Sequence, residues 1–367
     1  MARDPKQYHN GFQDRLQPLE SIDLKSISDF DSLLHSMSKT AFTGRTLGEA
    51  ADVLEEMVRD PECLVIGTFS GAMTIAKMGL IICDMIDWGW LDVIVTTGAL
   101  MSHGLIEETG RIHFKANGRF SDEELFYLGY DRVYDTLELE KNLLESELLI
   151  RQIISNLEGV KPLSSEILCR EIGRWLADNT ESRGILRSAY LKDVPIYIPA
   201  LTDSEIGLGI ACHAFLKTLR ENPEISEDKA LGLSLPEYNP FMDLNSYAKR
   251  VIKAERIGIF TVGGGVPRNW AQQIGPYIEI LSQQSGRELP MKRFMYGVRI
   301  CPEPAHWGGL SGCTYSEGVS WGKFVPPAEG GRFAEVLCDA TVILPILVKG
   351  VKERIDKKEG EDKEGKL

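Results

Sequence analysis

The stretch "RIGIFTVGGGVPRNW", Arg256 to Trp270, decides the fold. Apolar residues run almost unbroken to Val262, three glycines follow, and a helical pattern opens at once. A strand without polar alternation is buried on both faces, as in a parallel sheet covered by helices. A strand that passes through glycines straight into a helix is a βα turn.

The same order recurs along the chain. "CLVIGTFSG" (63–71) leads into "AMTIAKMGLIICDMI", and "LDVIVTTGAL" (91–100) follows. "VPIYIPALTD" (194–203) leads into "GLGIACHAFLKTLRE", "RFMYGVRI" (293–300) into a long loop, and "AEVLCDATVILPILVKGVKERI" (334–355) closes the pattern. Helical patterns are predicted near 136–157 and 163–179, and a Pro-containing loop over 231–247. These features predict an α/β fold: one large domain with a doubly wound, largely parallel, Rossmann-like sheet over residues 28–355. An N-terminal helical arm (1–27) precedes it, and a charged mobile tail (356–367) follows.

Composition narrows the function classes. The chain has 367 residues, 43% apolar and 26% charged, with a formal net charge of −13. That balance argues against nucleic acid or an anionic membrane as partner, because phosphate binding needs a basic surface. Seven scattered cysteines include no C-x-x-C pair, which points away from a zinc or disulfide framework and toward a reducing cytoplasm. The N-terminus has no apolar core of the secretory type, and runs such as "VILPILV" are too short to cross a bilayer.

In such sheets ligands sit at the carboxyl ends of the strands. Gly263, Gly264 and Gly265 could bring backbone amides to a pyrophosphate, or could form only a tight turn. No G-x-G-x-x-G fingerprint accompanies them. Asp203 and Asp339, each ending a strand, could accept ribose hydroxyls or cap a helix. His213 lies in an apolar helical pattern and reads as a core histidine. His103 and His306 sit in predicted strand-end loops and are better placed for a ligand. No two histidines show i, i+4 spacing, so no metal is expected, and no G-x-S-x-G elbow supports a serine hydrolase.

The loop "HWGGLSGCTYSEGVSWGKF" (306–324) is the most specific part of the chain. Its lysine, Lys323, ends a Gly-Val-Ser-Trp-Gly run. Either the side chain snorkels past an indole, or it is held dry as an amine nucleophile. "SEGVSWGK" closely resembles the active-site segment of deoxyhypusine synthase. "DFDSLLHSMSKTAFTGRTLGEAADVLEEM", "LDVIVTTGA", "IPALTD", "VGGGVPRNW" and "CDATVILPILV" resemble that family in the same order.

The resemblance implies NAD as cofactor and a lysine that carries an aminobutyl group as an imine. Lys323, Glu317 and Trp321 would be the catalytic set, with burial against Trp321 lowering the lysine pKa. Cofactor contacts would fall on Ser70, Gly71, Thr74, Thr97, Gly98, Asp203, Gly263, Gly264, Gly265, Asp339 and Ala340. Gly71 replaces an asparagine of the family, Gly98-Ala99 an Ala-Gly pair, and Pro302-Glu303 a Thr-Ala pair. The resemblance also implies a homotetramer with interfacial active sites.

Substrate positions depart further. Ser102 and His103 stand where the family has adjacent glutamates, Leu208 where it has a carboxylate, and Asn269 where it has a histidine. Trp307 and Leu310 replace aspartates, while Ser311 and Ser320 remain on the substrate side. Losing carboxylates that bind ammonium groups should lower affinity for a tricationic donor by orders of magnitude. The chemistry looks retained and recognition altered. The expected activity is aminoalkyl transfer from a polyamine or related amine to a small amine, as in homospermidine formation. The alternatives are transfer to a translation-factor lysine, action on a guanidino amine such as agmatine, or a non-catalytic NAD-binding protein.

Overall fold

The six segments read as strands all pair in one sheet, and every pairing is parallel. The computed structural model describes residues 3–157 and 162–364. In chain order the strands are β1 (Cys63–Phe69), β2 (Val93–Thr96), β3 (Phe114–Lys115), β4 (Tyr130–Val133), β5 (Thr136–Leu139), β6 (Ile196–Tyr197), β7 (Arg256–Val262), β8 (Phe294–Ile300) and β9 (Arg332–Val336). The large sheet runs β6-β2-β1-β7-β8-β9. This is the doubly wound order, and its direction reverses between β1 and β7.

Both faces of the sheet are buried. On β7, Phe260 and Val262 join one apolar cluster, while Ile257 and Ile259 join the other. Each such side chain contributes about 1.5–3 kcal/mol on burial. Between the central strands Thr68 Oγ1 donates to Thr261 Oγ1 at 2.9 Å, so the buried hydroxyls satisfy one another.

Several expectations need correction. The arm is not helical: among its described residues it holds two 3-10 turns, Pro5–Gln7 and Leu24–Ser26, and is mostly exposed. The tail is not a separate segment through residue 364, because the helix Ala340–Glu364 continues across it. Lys357 pairs with Asp29 and Asp31, and Lys358 with Glu55, which ties this helix to the first two helices. The tail's last residues, 365–367, lie outside the described ones. Residues 240–247 belong to the helix Pro240–Lys253, started by Asn239 as cap with proline in the first turn. The segment 136–139 is strand, and the helix begins at Glu140. A small antiparallel sheet, β3-β5-β4, follows the helix Gly98–Glu108 and has no counterpart in the sequence reading.

Candidate functional site

The reversal point of the sheet is closed by a side chain. Ser70, just past β1, accepts the Gly264 amide on its Oγ at 3.2 Å and donates to the Gly264 carbonyl. The glycines at this turn answer to geometry. Gly263 has φ +80, in the left-handed region, and a Cβ on Gly264 would meet Ser311 Cα at 2.5 Å. Gly71 and Gly265 face open space: no heavy atom comes within 4 Å of where their Cβ would stand. The cleft between β1 and β7 is thus lined by backbone that a pyrophosphate can approach, and the helix Gly265–Gln272 starts there.

The other strand-end residues surround this cleft in two different ways. Thr97 caps the helix Gly98–Glu108 and donates to the Gly71 carbonyl at 2.7 Å. Thr74 is buried and donates to the Leu100 carbonyl. A Cβ on Gly98 would strike the Ser204 hydroxyl, so this glycine lets two helix starts pack. Ser204, not Asp203, caps the helix Glu205–Glu221, which leaves the Asp203 carboxylate exposed. Asp339 does act as a local cap beside Ala340, accepting the Thr341 amide at 2.7 Å, and is exposed.

Lys323 lies on the helix Gly265–Gln272 side of this cleft. Its chain position is fixed by the short helix Tyr315–Ser320, whose start Thr314 caps. Gly318 lets that helix sit on the Phe324 ring, and Gly322 takes φ +68 to turn the chain. The Lys323 carbonyl accepts the Phe294 amide at 2.9 Å, which anchors it to the start of β8. The side chain then reaches Asn269: Nζ donates to Asn269 Oδ1 at 3.3 Å. Asn269 is one helical turn from Gly265, about 6 Å along the axis.

Lys323 is 8% exposed, at the base of a cavity of about 240 Å³ lined by Arg268, Asn269, Cys313, Glu317 and Trp321 among others. Burial pushes its pKa below the usual lysine value, and the Arg268 guanidinium adds to the effect. Cys313 and Glu317 oppose it. The expected role of Trp321 needs correction. Its ring is 64% exposed and stands 5.7 Å from Nζ, so it does not bury the amine. A cation–π contact of that kind favours the ammonium instead.

Sequence reasoning missed the residues that hold this wall. Arg299, buried on β8, donates to the Ser311 carbonyl and pairs with Glu335, which in turn accepts the Tyr315 amide at 2.7 Å. Arg268 stacks its guanidinium over Tyr315 and also reaches Ser311. Ser311 therefore serves through its backbone. Only the apolar context of Arg299 in "YGVRI" could have signalled its burial.

The remaining candidates divide. Trp307 and Leu310 are exposed in the loop before the lysine helix, and Leu310 lines the lysine cavity. Ser320 is exposed and donates to the Glu317 carbonyl. Ser102 is buried, with its hydroxyl taken by the Ile206 amide at 3.3 Å. His103 is on the helix Gly98–Glu108, not in a loop, and His213 is half-buried rather than in the core. His306 is exposed in a 3-10 turn.

Comparison with known proteins agrees with this layout. The family model "Deoxyhypusine synthase" matches residues 32–351. A probable deoxyhypusine synthase 2 of Methanosarcina acetivorans is 35% identical over 350 residues, spanning 95% of this chain and 92% of the relative. One from Archaeoglobus fulgidus is 34% identical over 319 residues, with 86% and 95% covered. A deoxyhypusine synthase-like protein of Elusimicrobium minutum is 30% identical over 345 residues, with 93% and 85% covered. The crystal structure of a candidate deoxyhypusine synthase from Entamoeba histolytica superposes with a TM-score of 0.55. It covers 90% of this chain and 96% of that one at 15% identity, which is a likeness of fold.

Proposed function

The chain belongs to the deoxyhypusine synthase family, and from that premise we propose that it transfers an aminoalkyl group, with NAD as cofactor, through an imine on Lys323. The observation that carries this reading is the dry lysine. Lys323 is buried, has its pKa lowered, and is bonded to the helix that begins at the glycine turn. A lysine attacks carbon only as the neutral amine, and both burial and Arg268 favour that form.

The residues present fit NAD. Gly71 and Gly265 leave room for a pyrophosphate, Ser70 and Thr97 steady the two turns, and the exposed Asp203 carboxylate, with the oxygen of Asp339 not used by Thr341, can accept hydroxyls of the riboses. Bound there, NAD would supply hydride removal from the carbon beside a substrate amine and hydride return at the end. Lys323 Nζ adds to the oxidised carbon, the original amine leaves with a proton, and the lysine keeps the fragment as an imine. An acceptor amine then adds to that carbon and expels Lys323. Glu317, on the cavity wall, is placed to hold a substrate ammonium and to carry protons between amines.

The acceptor that fits best is a small amine rather than a protein lysine, and the donor carries less charge than spermidine. Leu310, Trp307 and Leu208 are apolar and exposed where carboxylates were expected. A guanidino donor such as agmatine fits the same observation. The exposed Trp307, Leu310 and Trp321 around the lysine support a further part of the reading, that a second copy covers this mouth in a homotetramer. Among the described residues no helix is long and apolar enough to cross a membrane. The proposed site of action is the cytoplasm.

Incubation with NAD, a panel of amines and borohydride is expected to leave an aminoalkyl adduct on the peptide bearing Lys323. Adduct mass separates a guanidinobutyl group from an aminobutyl one, and the released amine, ammonia or diaminopropane, separates putrescine from spermidine as donor. No adduct from any amine, together with full turnover by Lys323→Ala, would end the proposal. Normal NAD binding without reduction of the cofactor by any amine would identify a binding protein instead.

A further inference from the structure

Three side chains remote in sequence converge beside the small antiparallel sheet. His103 comes from the helix Gly98–Glu108, His113 from just before β3, and Glu138 from β5. Their donor atoms all lie within 4.8 Å of one another. None of the three lines the lysine cavity. The i, i+4 rule used on the sequence tests only ligands carried by one helix, so it is silent on a cluster drawn from three elements.

The inward-facing atoms are buried against one another: His113 Nε2 and Glu138 Oε2 abut as an ion pair, and His103 Nδ1 lies 3.7 Å from the same oxygen. The His113 and Glu138 side chains are fully enclosed. The outer atoms of the set, by contrast, are held. Glu138 Oε1 accepts the Leu139 amide at 2.9 Å and the Asn142 amide group at 3.1 Å. His113 Nδ1 is 3.5 Å from Glu107 Oε1 and 2.7 Å from Lys77 Nζ, and Lys77 pairs with Glu107.

We infer that His103 Nδ1, His113 Nε2 and Glu138 Oε2 form a site for one first-row divalent cation of the zinc class. Two imidazoles and one carboxylate are a ligand set that zinc takes with a fourth position open. Tetrahedral bonds of about 2.0–2.2 Å place donors about 3.4 Å apart, close to the His103–Glu138 separation. The cation enters between His113 and Glu138 and displaces any proton on His113 Nε2. The remaining ring proton then sits on Nδ1 toward Glu107, 3.5 Å away, which requires Lys77 Nζ to give up the 2.7 Å contact in which it now donates to Nδ1. Lys77 stays on Glu107.

The test uses the full chain stripped with chelator and titrated with zinc and with cobalt. One equivalent per chain is expected, with a cobalt spectrum of nitrogen and oxygen ligation. Glu138→Gln and His113→Gln should weaken binding by more than the roughly 10- to 100-fold cost of losing an outer partner. His103→Gln, at the rim of the cluster, provides a variant that keeps the enclosed pair and should also lose affinity. Failure to bind an equivalent would overturn the inference. So would unchanged affinity in all three variants, or a thiolate band assigning the cation to Cys212, Cys313 or Cys338. The readout needs neither amine nor NAD, so it stands or falls apart from the Lys323 adduct.

Discussion

Lys323 Nζ and Asn269 Oδ1 are joined at 3.3 Å, so the side chain of the lysine is bonded to the helix that starts at the triple-glycine turn. An amide oxygen can accept from a lysine but cannot take up its proton, so this contact orients the amine without competing for its charge. Asn269→Leu keeps the volume and removes the acceptor. A hydrogen bond of about 1 kcal/mol corresponds to a five- to tenfold effect. The expected loss is in the rate of Lys323 adduct formation, with NAD affinity unchanged, as read by single-turnover trapping and by a separate binding titration.

Arg268 provides a pH test. Lys323 must lose its proton to react, so adduct formation should rise with pH through the Lys323 pKa and then level off. Burial and then Arg268 hold that pKa low. Arg268→Gln removes the second cause and should move the rising limb to higher pH. The folded chain binds this proton less readily than the unfolded chain, so the lysine's contribution to stability grows as pH rises from the folded to the unfolded pKa. A trapping profile measured across pH on both proteins decides the matter. An unmoved limb would leave burial as the only cause.

Gly264 and Gly89 separate close approach from backbone strain. Gly264→Ala would drive a Cβ into Ser311 Cα at 2.5 Å, and should weaken NAD binding at least about tenfold while lowering stability. Gly89 has φ +75 with open space around it. Gly89→Ala should therefore cost only about 1 kcal/mol of stability and leave NAD binding intact. Thermal melts and NAD titrations on both variants provide the comparison.

Arg354 ties the C-terminal helix to the first two helices. It donates to Asp31 at 2.7 Å and Asp52 at 2.6 Å and is 8% exposed. Arg354→Met leaves Asp31 without its main partner in a half-buried setting. A loss of about 3 kcal/mol is expected from such a broken pair, read as a lower denaturation midpoint. Lys349→Ala, an exposed i, i+4 pair on the same helix, should cost less than about 1 kcal/mol.

The large sheet was legible because a strand buried on both faces cannot alternate, and its central strands β1, β2 and β7 carry that signature, whereas the edge strand β9 alternates. The small sheet was not. β3 is two exposed residues, β4 is mostly polar, and β5 runs into the apolar spacing of the helix that follows. Residues 240–247 of the helix Pro240–Lys253 read as loop in the sequence, although Asn239 before Pro240 is a start signal that local chemistry offers. Lys323 stood out through motif resemblance, yet its bond to Asn269 and the nearby Arg268 charge could come only from coordinates. The His103, His113 and Glu138 grouping leaves no trace in spacing at all.

Because the helix Gly265–Gln272 carries the glycine turn at one end and Asn269 one turn further on, the proposed cofactor seat and the anchor of Lys323 belong to a single element. Any tilt of that piece would mistune both at once. Ser311 couples the 305–312 loop to that piece, because Arg268 donates to its carbonyl and Gly264 packs against its Cα, so the loop cannot be rebuilt there without disturbing the turn.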